Sequence, residues 1–399
     1  MQVKLHDDLR NTAEGSRAEQ IMRSCVHCGF CNATCPTYQI TGDELDGPRG
    51  RIYLIKEVLE SGTGNPTAQR HLDRCLTCRA CETTCPSGVA YGELLEVGRS
   101  IVEKSQPRNW LSQIVRRWLT AVVPYPGRFR ALVRIGNWFR WMLPGRLHQA
   151  LPRLNRLKPT IRASHMRRVL VLQGCVQRVA TPQANASLAA LLDKRGIEVV
   201  YADGEVCCGS LNLHLGARER ALVNIRQNID ALAPYLDDVE AVVSTASGCG
   251  VTIKDYPRLL ADDADYAPRA AALARKFQDV ARFVTLENLG CRKIEGVRRV
   301  AWHSPCTLQH GLQITGVVEN LLQGAGYELV PVADAHLCCG SAGTYSLLEP
   351  RLSAELRERK LAALCAQEPD VIATANVGCQ MHLSGATRVA VRHWLELLQ

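Results

Sequence analysis

Cysteine is the residue type whose number and spacing in this sequence point most directly to chemistry. There are 18 cysteines among 399 residues. Residues 25–36 read CVHCGFCNATCP and residues 75–86 read CLTCRACETTCP, so the spacing C-x2-C-x2-C-x3-C-P occurs twice with a period of 50 residues. Three thiolates at this spacing wrap one iron–sulfur cube, while the fourth, followed by proline, points toward a second cube. The pattern predicts one-electron transfer by iron–sulfur clusters.

The repeated motif predicts crossed ligation of two [4Fe-4S] clusters. The ligands of the first cluster are predicted to be Cys25, Cys28, Cys31 and Cys85, and those of the second Cys75, Cys78, Cys81 and Cys35. The alternative is a pair of structural zinc sites, which also use C-x2-C pairs. A zinc site does not require a third cysteine at C-x2 spacing followed by x3-C-P, so we favour iron–sulfur clusters. We expect His27 outside the coordination shell, because cysteines already fill it.

A second set of cysteines recurs in the C-terminal half of the chain at offsets of 131, 131, 131 and 130 residues. Its members are Cys175, Cys207, Cys208 and Cys249, followed by Cys306, Cys338, Cys339 and Cys379. This arithmetic indicates an internal duplication. The functional interpretation is a cluster or a redox-active thiol set in each copy, and the alternative is burial of small residues. Cys291 and Cys365 fall outside both copies, and we assign them no role.

The elements that must position these cysteines are strands alternating with helices. Each cysteine group follows a short β-branched run, as in RRVLVLQGC and RRVAWHSPC. We expect helices over 184–194, 217–236, 317–324 and 351–367, which implies α/β units with a parallel sheet. Ligands collect at the carboxyl ends of such strands, so the eight thiols should converge on two clefts. In the N-terminal region, an apolar-periodic helix over 51–60 should pack the two cysteine loops together.

The composition narrows the setting of this chemistry. A charged fraction of 22% and an apolar fraction of 46% are typical of a globular protein. The chain has no apolar run of 18 residues, and its acidic start differs from a secretory signal, so we expect a cytoplasmic protein without a membrane span. Disulfides are not expected there, which leaves metal ligation or redox chemistry for the cysteines.

The net charge of +9 is concentrated in one segment. Residues 104–192 hold 16 Lys and Arg and no Asp or Glu, whereas the rest has 32 basic against 39 acidic residues. Four of the six tryptophans lie there too: Trp110, Trp118, Trp138 and Trp141. One interpretation is an amphipathic helix at an anionic membrane surface, near a quinone. The alternative, which we favour, is a helix pair packed on a partner subunit or between domains. We expect no nucleic-acid binding, because no nucleic-acid-binding module or groove-reading helix accompanies the positive charge.

Two parts of the sequence, and their order along the chain, resemble known iron–sulfur proteins. The N-terminal motifs resemble the helical two-cluster ferredoxin domain, and the C-terminal half resembles the cysteine-rich repeat of heterodisulfide reductases, anaerobic glycerol-3-phosphate dehydrogenases and lactate-utilisation subunits. The order of the parts, with the stretches CTLQHG, HLCCGSAGTYSLL and TANVGCQMHL, resembles the iron–sulfur subunits of bacterial glycolate oxidases over nearly the whole chain.

The resemblance implies an electron-transfer subunit rather than a complete enzyme. Partner subunits would carry FAD and oxidise glycolate to glyoxylate, and this subunit would pass the electrons toward a membrane quinone. The resemblance thus implies a hetero-oligomer, peripheral on the inner face of the cell membrane. The sequence has no G-x-G-x-x-G after a first strand, so FAD should lie on the partner only. We assign no catalytic residue to this chain.

The cysteine-rich repeats depart from the heterodisulfide reductase pattern. Those proteins end each motif with C-x2-C, whereas here Ala246 and Asn376 stand at the first position. Four thiolates per repeat suffice for one or two further [4Fe-4S] clusters, but not for disulfide-reducing chemistry at a five-cysteine site. His303, His336 and His382 are expected as neighbours of the cysteines and not as ligands.

The fold class predicted is α+β and multidomain. A mainly helical, two-cluster ferredoxin-like domain is followed by a duplicated α/β cysteine-rich domain with parallel sheets. The predicted domains are the ferredoxin-like domain (1–103), a basic Trp/Arg-rich linker or docking segment (104–165), the first cysteine-rich repeat (166–290) and the second (291–399). Two other functions stay open: the same role with lactate or glycerol 3-phosphate as donor, and a non-catalytic iron–sulfur sensor or scaffold.

Overall fold

The N-terminal cysteine motifs lie in a helical region whose short helices are separated by the cysteine loops. The computed structural model describes residues 1–142, 151, 164–287 and 290–399. The helices of this region are α1 (Asp7–Arg10), α2 (Ala13–Ser24), α3 (Pro36–Thr41), α4 (Pro48–Ser61), α5 (Pro66–Asp73), α6 (Ala80–Thr84) and α7 (Tyr91–Ser105). Proline at the first position of α3, α4 and α5 starts each helix, because its fixed φ suits the first turn and it lacks only an N–H that would be unpaired there.

The predicted helix over 51–60 is α4, and it forms the centre of this region. Its buried face includes Ile55, Val58 and Leu59, which share one apolar core with Leu94 and Leu95 of α7. At Gly98 of α7, a Cβ atom would lie 2.8 Å from Ile55, so glycine permits the close approach of the two helices. The two cysteine loops are therefore anchored on a rigid helix pair.

The basic segment forms two helices, α8 (Trp110–Val122) and α9 (Pro126–Trp138). Its helix α8 contacts both neighbouring regions: the Arg116 guanidinium lies 3.0 Å from the Asp73 carboxylate, and the Thr120 hydroxyl accepts from Arg220 of the first repeat. Between the helices, the Pro124 carbonyl accepts the Cys207 N–H at 2.9 Å. The remainder of the predicted linker, residues 143–150 and 152–163, lies outside the described residues. No helix within the described ranges combines the length and apolarity needed to span a membrane.

Two four-stranded sheets follow, each with one set of four repeated cysteines. Their strands are β1 (Arg167–Leu172), β2 (Ile197–Val200), β3 (Ala241–Ser244), β4 (Phe277–Asp279), β5 (Arg299–His303), β6 (Glu328–Val330), β7 (Val371–Thr374) and β8 (Ala390–His393). Helices of the first unit are α10 (Gln177–Ala180), α11 (Gln183–Asp193), α12 (Ser210–His214), α13 (Arg218–Leu232), α14 (Ser247–Lys254), α15 (Tyr256–Leu259), α16 (Ala267–Lys276) and α17 (Val280–Leu286). Those of the second are α18 (Val317–Gly324), α19 (Tyr345–Leu348), α20 (Pro350–Cys365) and α21 (Val377–Ser384).

Both sheets are wholly parallel and have the same topology. The strand orders are β2-β1-β3-β4 and β6-β5-β7-β8. The strand order therefore reverses between the first and third strands of each sheet, β1 and β3 or β5 and β7, while all strands stay parallel. In the first sheet, Val169 of β1 pairs with Val199 on one side and with Ala241 on the other. The crevice outside the strand ends at such a reversal is where α/β sheets bind ligands. The predicted fold class is confirmed, while the domain boundaries at 103, 165 and 290 stay predictions.

One continuous core joins the two sheets. It combines residues of the first sheet such as Val169 with Val300 and Trp302 of the second, and it includes the fully buried Trp394. His393 contributes a polar tie, since its Nε2 lies 2.8 Å from the Thr245 carbonyl. The two cysteine-rich repeats are thus held face to face as one body.

Candidate functional site

The first N-terminal cysteine set lines a pocket near the surface. Cys25 caps the C-terminus of α2, and Cys85 follows the end of α6; Cys28 and Cys31 lie in the loop between α2 and α3. All four border one pocket. Burial, together with the neighbouring Cys25 thiol, raises the pKa of Cys31 to about 11. A bound cation would therefore favour the thiolate form of Cys31.

The second set lies deeper. Cys35, Cys75, Cys78 and Cys81 border a second pocket. Burial raises the pKa values of the Cys78 and Cys81 thiols well above the ordinary range, and neighbouring cysteines add to the effect. Cys81 also borders the first pocket, so the two pockets adjoin. The arrangement brings together the cysteines of each predicted crossed set.

Two buried side chains direct hydrogen atoms at sulfur in the second set. The Tyr91 hydroxyl lies 3.6 Å from Cys75 Sγ, and Arg51 Nη1 lies 3.9 Å from Cys35 Sγ. The Arg51 guanidinium is fully buried on α4 and is held by the His71 carbonyl at 2.8 Å. Burial opposes its charge, yet Cys75 and the other nearby acidic groups keep its pKa above the usual range. A fixed positive charge therefore faces this pocket.

The two N-terminal pockets differ in their surroundings. The first is flanked by exposed apolar side chains, Val26 and Phe30, and Cys28 is itself exposed. The second is covered by the second cysteine-rich repeat, where Leu76 and Cys78 pack in one apolar cluster with Cys306 and Cys338. The first pocket therefore borders exposed apolar side chains, whereas the second borders residues that pack against the second repeat.

Ion pairs hold the helical region against the repeats. Arg79, which lies between Cys78 and Cys81 in the sequence, donates to Asp255 at 2.7 Å, and Arg258 donates to Glu96 at 3.0 Å. On the side of the second repeat, Thr83 Oγ1 lies 2.9 Å from His310 Nδ1. The helical region is therefore held against both repeats, by the two ion pairs on the side of the first and by the Thr83–His310 contact on the side of the second.

In the first repeat, all four cysteines meet at the carboxyl ends of β1 and β3. Interactions among the thiols of this group raise the pKa values of Cys175 and Cys208 well above the usual value and lower that of Cys207 well below it. Cys249 interacts with Cys208 in the same group. The buried carboxylate of Glu205 accepts the Gln173 and Gly174 N–H groups, both at 2.9 Å, and so shapes the loop before Cys175.

In the second repeat, the equivalent cysteines also converge. Cys306 Sγ lies 3.8 Å from Cys338 Sγ, while Cys339 contacts Cys379. The ligand atoms of Cys339, Cys379 and His303 all lie within 4.8 Å of one another. Burial lowers the pKa of His303 well below its usual value, so the imidazole is neutral. The eight C-terminal thiols therefore form two clusters, one at each strand reversal.

Of the other histidines singled out in the sequence, His382 and His27 have protein partners for their rings, and His336 contributes its backbone carbonyl. His336 accepts a hydrogen bond from the His310 ring through its backbone carbonyl at 3.0 Å. His382 Nε2 lies 3.3 Å from Ser353 Oγ, and His27 Nε2 lies 3.2 Å from the Arg49 carbonyl. Sequence reasoning did not find Arg51 or Tyr91, because neither lies in a motif.

The donor sets fit iron–sulfur clusters. Each N-terminal pocket offers four thiols, the number that a [4Fe-4S] cluster takes, and hydrogen-bond donors to sulfur line the second pocket. None of the 18 cysteines, all of which are described, is in a disulfide. Each repeat offers four further thiols at a position where such sheets bind ligands.

Comparisons with known proteins agree with this geometry. Residues 21–89 match the family model of the 4Fe-4S dicluster domain, and residues 169–254 and 300–384 each match the cysteine-rich domain. The chain is 48% identical over its full length to the glycolate oxidase iron-sulfur subunit of Escherichia coli, covering 98% of that protein. It is 32% identical over 94% of its length to the probable glycolate oxidase iron-sulfur subunit of Bacillus subtilis, covering 91% of that protein.

A more distant relative matches only part of the chain. Lactate utilization protein A of Shouchella clausii is 27% identical over 56% of this chain and is itself covered to 95%. The two full-length relatives, by contrast, span both the dicluster region and the cysteine-rich repeats. The resemblance deduced from the motifs is therefore confirmed, and the chain belongs to the family of glycolate oxidase iron–sulfur subunits.

Proposed function

We propose that this chain is the electron-transfer subunit of a glycolate oxidase, or glycolate dehydrogenase, complex. It would receive electrons from partner subunits that carry FAD and oxidise glycolate to glyoxylate, and it would pass them toward a membrane quinone. The observation that carries this proposal is the direct packing of Cys78, in the second N-terminal set, against Cys306 and Cys338 of the second repeat. A redox chain needs such contact between neighbouring centres, whereas independent structural sites do not.

The cysteine sets divide the task of holding the clusters. Cys25, Cys28, Cys31 and Cys85 would hold one [4Fe-4S] cluster, and Cys75, Cys78, Cys81 and Cys35 the other. One or two further clusters would be held by Cys175, Cys207, Cys208 and Cys249, and by Cys306, Cys338, Cys339 and Cys379. When bound, these clusters supply one-electron transfer.

The burial of the sets supports an order from the surface inward. The exposed first pocket, beside Val26 and Phe30, suits contact with the flavin-bearing subunit, because apolar side chains at a surface favour a protein partner. The buried second pocket adjoins both the first pocket and the second repeat. The side chains of Arg51 and Tyr91 stabilise additional negative charge on the second set.

We further propose that the outer side of α8 and α9 binds an anionic membrane surface at the cytoplasmic side of the cell membrane. The opposite side of α8 contacts the helical region through Arg116 and Asp73, and the first repeat through Thr120 and Arg220. The outer side exposes Trp118 and Trp138, the latter to 81%, and no acidic residue occurs between 104 and 192. Basic residues with exposed tryptophans suit the interface of an anionic bilayer.

The test is glycolate-dependent quinone reduction by the assembled complex. Cys78→Ser should abolish this activity while the flavin subunit still oxidises glycolate with an artificial acceptor. Cys365→Ser is the matched control, because Cys365 lies outside both cysteine sets and contacts Thr387 instead. Unchanged quinone reduction in Cys78→Ser would contradict the proposal and favour the sensor or scaffold alternative. Copurification with a lactate or glycerol 3-phosphate flavoprotein would favour a different donor.

A further inference from the structure

His303 stands apart from the other buried histidines of this chain. It ends β5, three residues before Cys306, and its side chain is only 2% exposed. Neither ring nitrogen has a hydrogen-bond partner among the described residues. His393, equally buried, is bonded at both ring nitrogens. A buried imidazole without partners is costly, so its nitrogens point to a bound group that completes the site.

The surroundings of His303 are those of a metal site. One ring nitrogen and the sulfur atoms of Cys339 and Cys379 lie within 4.8 Å of one another, and all three residues are buried. Two ligands that share one iron lie about 3.5–3.8 Å apart, whereas the ligands of a [4Fe-4S] cluster each bind a separate iron and lie farther apart. Side-chain rotation would therefore place these three donors around either kind of centre. Imidazole and thiolate both suit iron and zinc.

The duplication provides an internal comparison. With the offset of 131 residues, His303 corresponds to Leu172, and the buried Lys360 corresponds to Ile229. Leu172 occupies the same strand end, in front of the same cysteine, and it packs into the apolar core of the first repeat. The fold therefore accepts an apolar side chain at this position. The imidazole of the second repeat needs an explanation other than folding.

We propose that His303 is a ligand, through a ring nitrogen, of an iron–sulfur centre held by the second cysteine-rich repeat, whereas the first repeat has only thiol donors. The inference rests on the proposed function, which places a cluster in this repeat. In this centre the imidazole takes the place of one of the four thiolates assigned to the repeat above, and a neutral donor in place of a thiolate makes the centre less negative, which raises its reduction potential. The Lys360 ammonium, whose Nζ donates to the Asp334 carbonyl at 2.8 Å, adds positive charge on the same side. The two repeats would then hold centres of different potential.

The experiment is pulsed EPR on the full chain, purified anaerobically, reduced with dithionite and labelled with 15N at histidine only. We expect a strong coupling to a histidine nitrogen in the wild type and its loss in His303→Leu, which copies the first repeat. His382→Gln is the control, because His382 is the nearby histidine with a protein partner, and it should keep the coupling.

Iron, zinc and acid-labile sulfide are counted on the same samples. If the second repeat contains iron and sulfide but the wild type shows no histidine coupling, this inference fails and the proposed function stands. A coupling that persists in His303→Leu also overturns it. If no iron is found beyond the two N-terminal clusters, or if zinc occupies the repeat, both this inference and the cluster that the proposed function places there fail. Because the wild-type spectrum is itself decisive, a misfolded variant does not weaken the test.

Discussion

The hydrogen bond from Tyr91 to Cys75 gives a quantitative prediction about the second N-terminal cluster. Tyr91 is buried at the start of α7, and its hydroxyl lies 3.6 Å from Cys75 Sγ. A hydrogen bond to a cluster sulfur stabilises the reduced, more negative state more than the oxidised state. A differential of about 1 kcal/mol, typical of one hydrogen bond, corresponds to about 40 mV for a one-electron couple. Tyr91→Phe should therefore lower the potential of this cluster by about 40 mV.

The assay is an EPR-monitored redox titration of the full chain. Tyr53→Phe is the matched control, because Tyr53 lies on the exposed side of α4. The cluster potentials of this variant should equal those of the wild type. The first cluster should also be unaffected in Tyr91→Phe. An unchanged or raised potential of the second cluster would refute the reasoning, since it would mean that the hydroxyl does not act on the sulfur.

Three further predictions concern the packing, the pH dependence and the outer surface. Leu76→Ala should destabilise the contact between the helical region and the second repeat by about 3 kcal/mol, because Leu76 is buried against Tyr345 and Leu356. Thermal unfolding at a fixed scan rate should show a lower transition temperature for this variant but not for Leu347→Ala, which changes an exposed side chain. Equal transition temperatures of the two variants would contradict the packing account. Burial lowers the pKa of His393 to about 4, below its unfolded value of about 6.5, so the unfolded state binds more protons between these values and the free energy of unfolding should fall as the pH falls through this window. His393→Gln should flatten that profile in denaturant titrations at several pH values, and an unchanged slope would exclude His393 as its source. Replacing Trp118 and Trp138 by Ser should reduce flotation with anionic vesicles, with neutral vesicles as the control; binding that depends on neither lipid charge nor these tryptophans would favour a protein partner for this face.

The repeated spacings carried most of what could be predicted about the fold. The offset of 131 residues indicated a duplication, and the β-branched run before each cysteine group indicated parallel strands with the cysteines at their ends. The helix predicted over 317–324 has those bounds. The helix predicted over 217–236 ends earlier, at Leu232, and continues as a 3₁₀ turn from Ala233 to Asp238. Pro234 explains the difference, because it cannot donate to the preceding turn of an α-helix.

The side chains that surround the cysteines could not be predicted in the same way. Arg51 and Tyr91 belong to helices whose apolar periodicity fixes which side is buried, but not which buried residue faces a sulfur. That choice depends on how α4 and α7 pack, as Gly98 against Ile55 illustrates. His303 was expected as a neighbour of the cysteines, and its burial and the absence of a partner for its ring among the described residues distinguish it from His382, whose Nε2 lies near Ser353 Oγ. The correspondence of His303 with Leu172 could be read from the sequence, but only the structure shows that the His303 ring is buried without a hydrogen-bond partner among the described residues.

The central claim is that the second cysteine-rich repeat is part of an electron path that begins in the N-terminal region. The most direct measurement is the iron and acid-labile sulfide content per chain of anaerobically purified protein, together with the EPR spectrum after reduction. The account predicts about twelve irons or more, because the two N-terminal sets account for about eight and the repeats hold at least one further cluster. About eight irons, with no further signal in the reduced spectrum, would contradict it and would leave the duplicated half a scaffold.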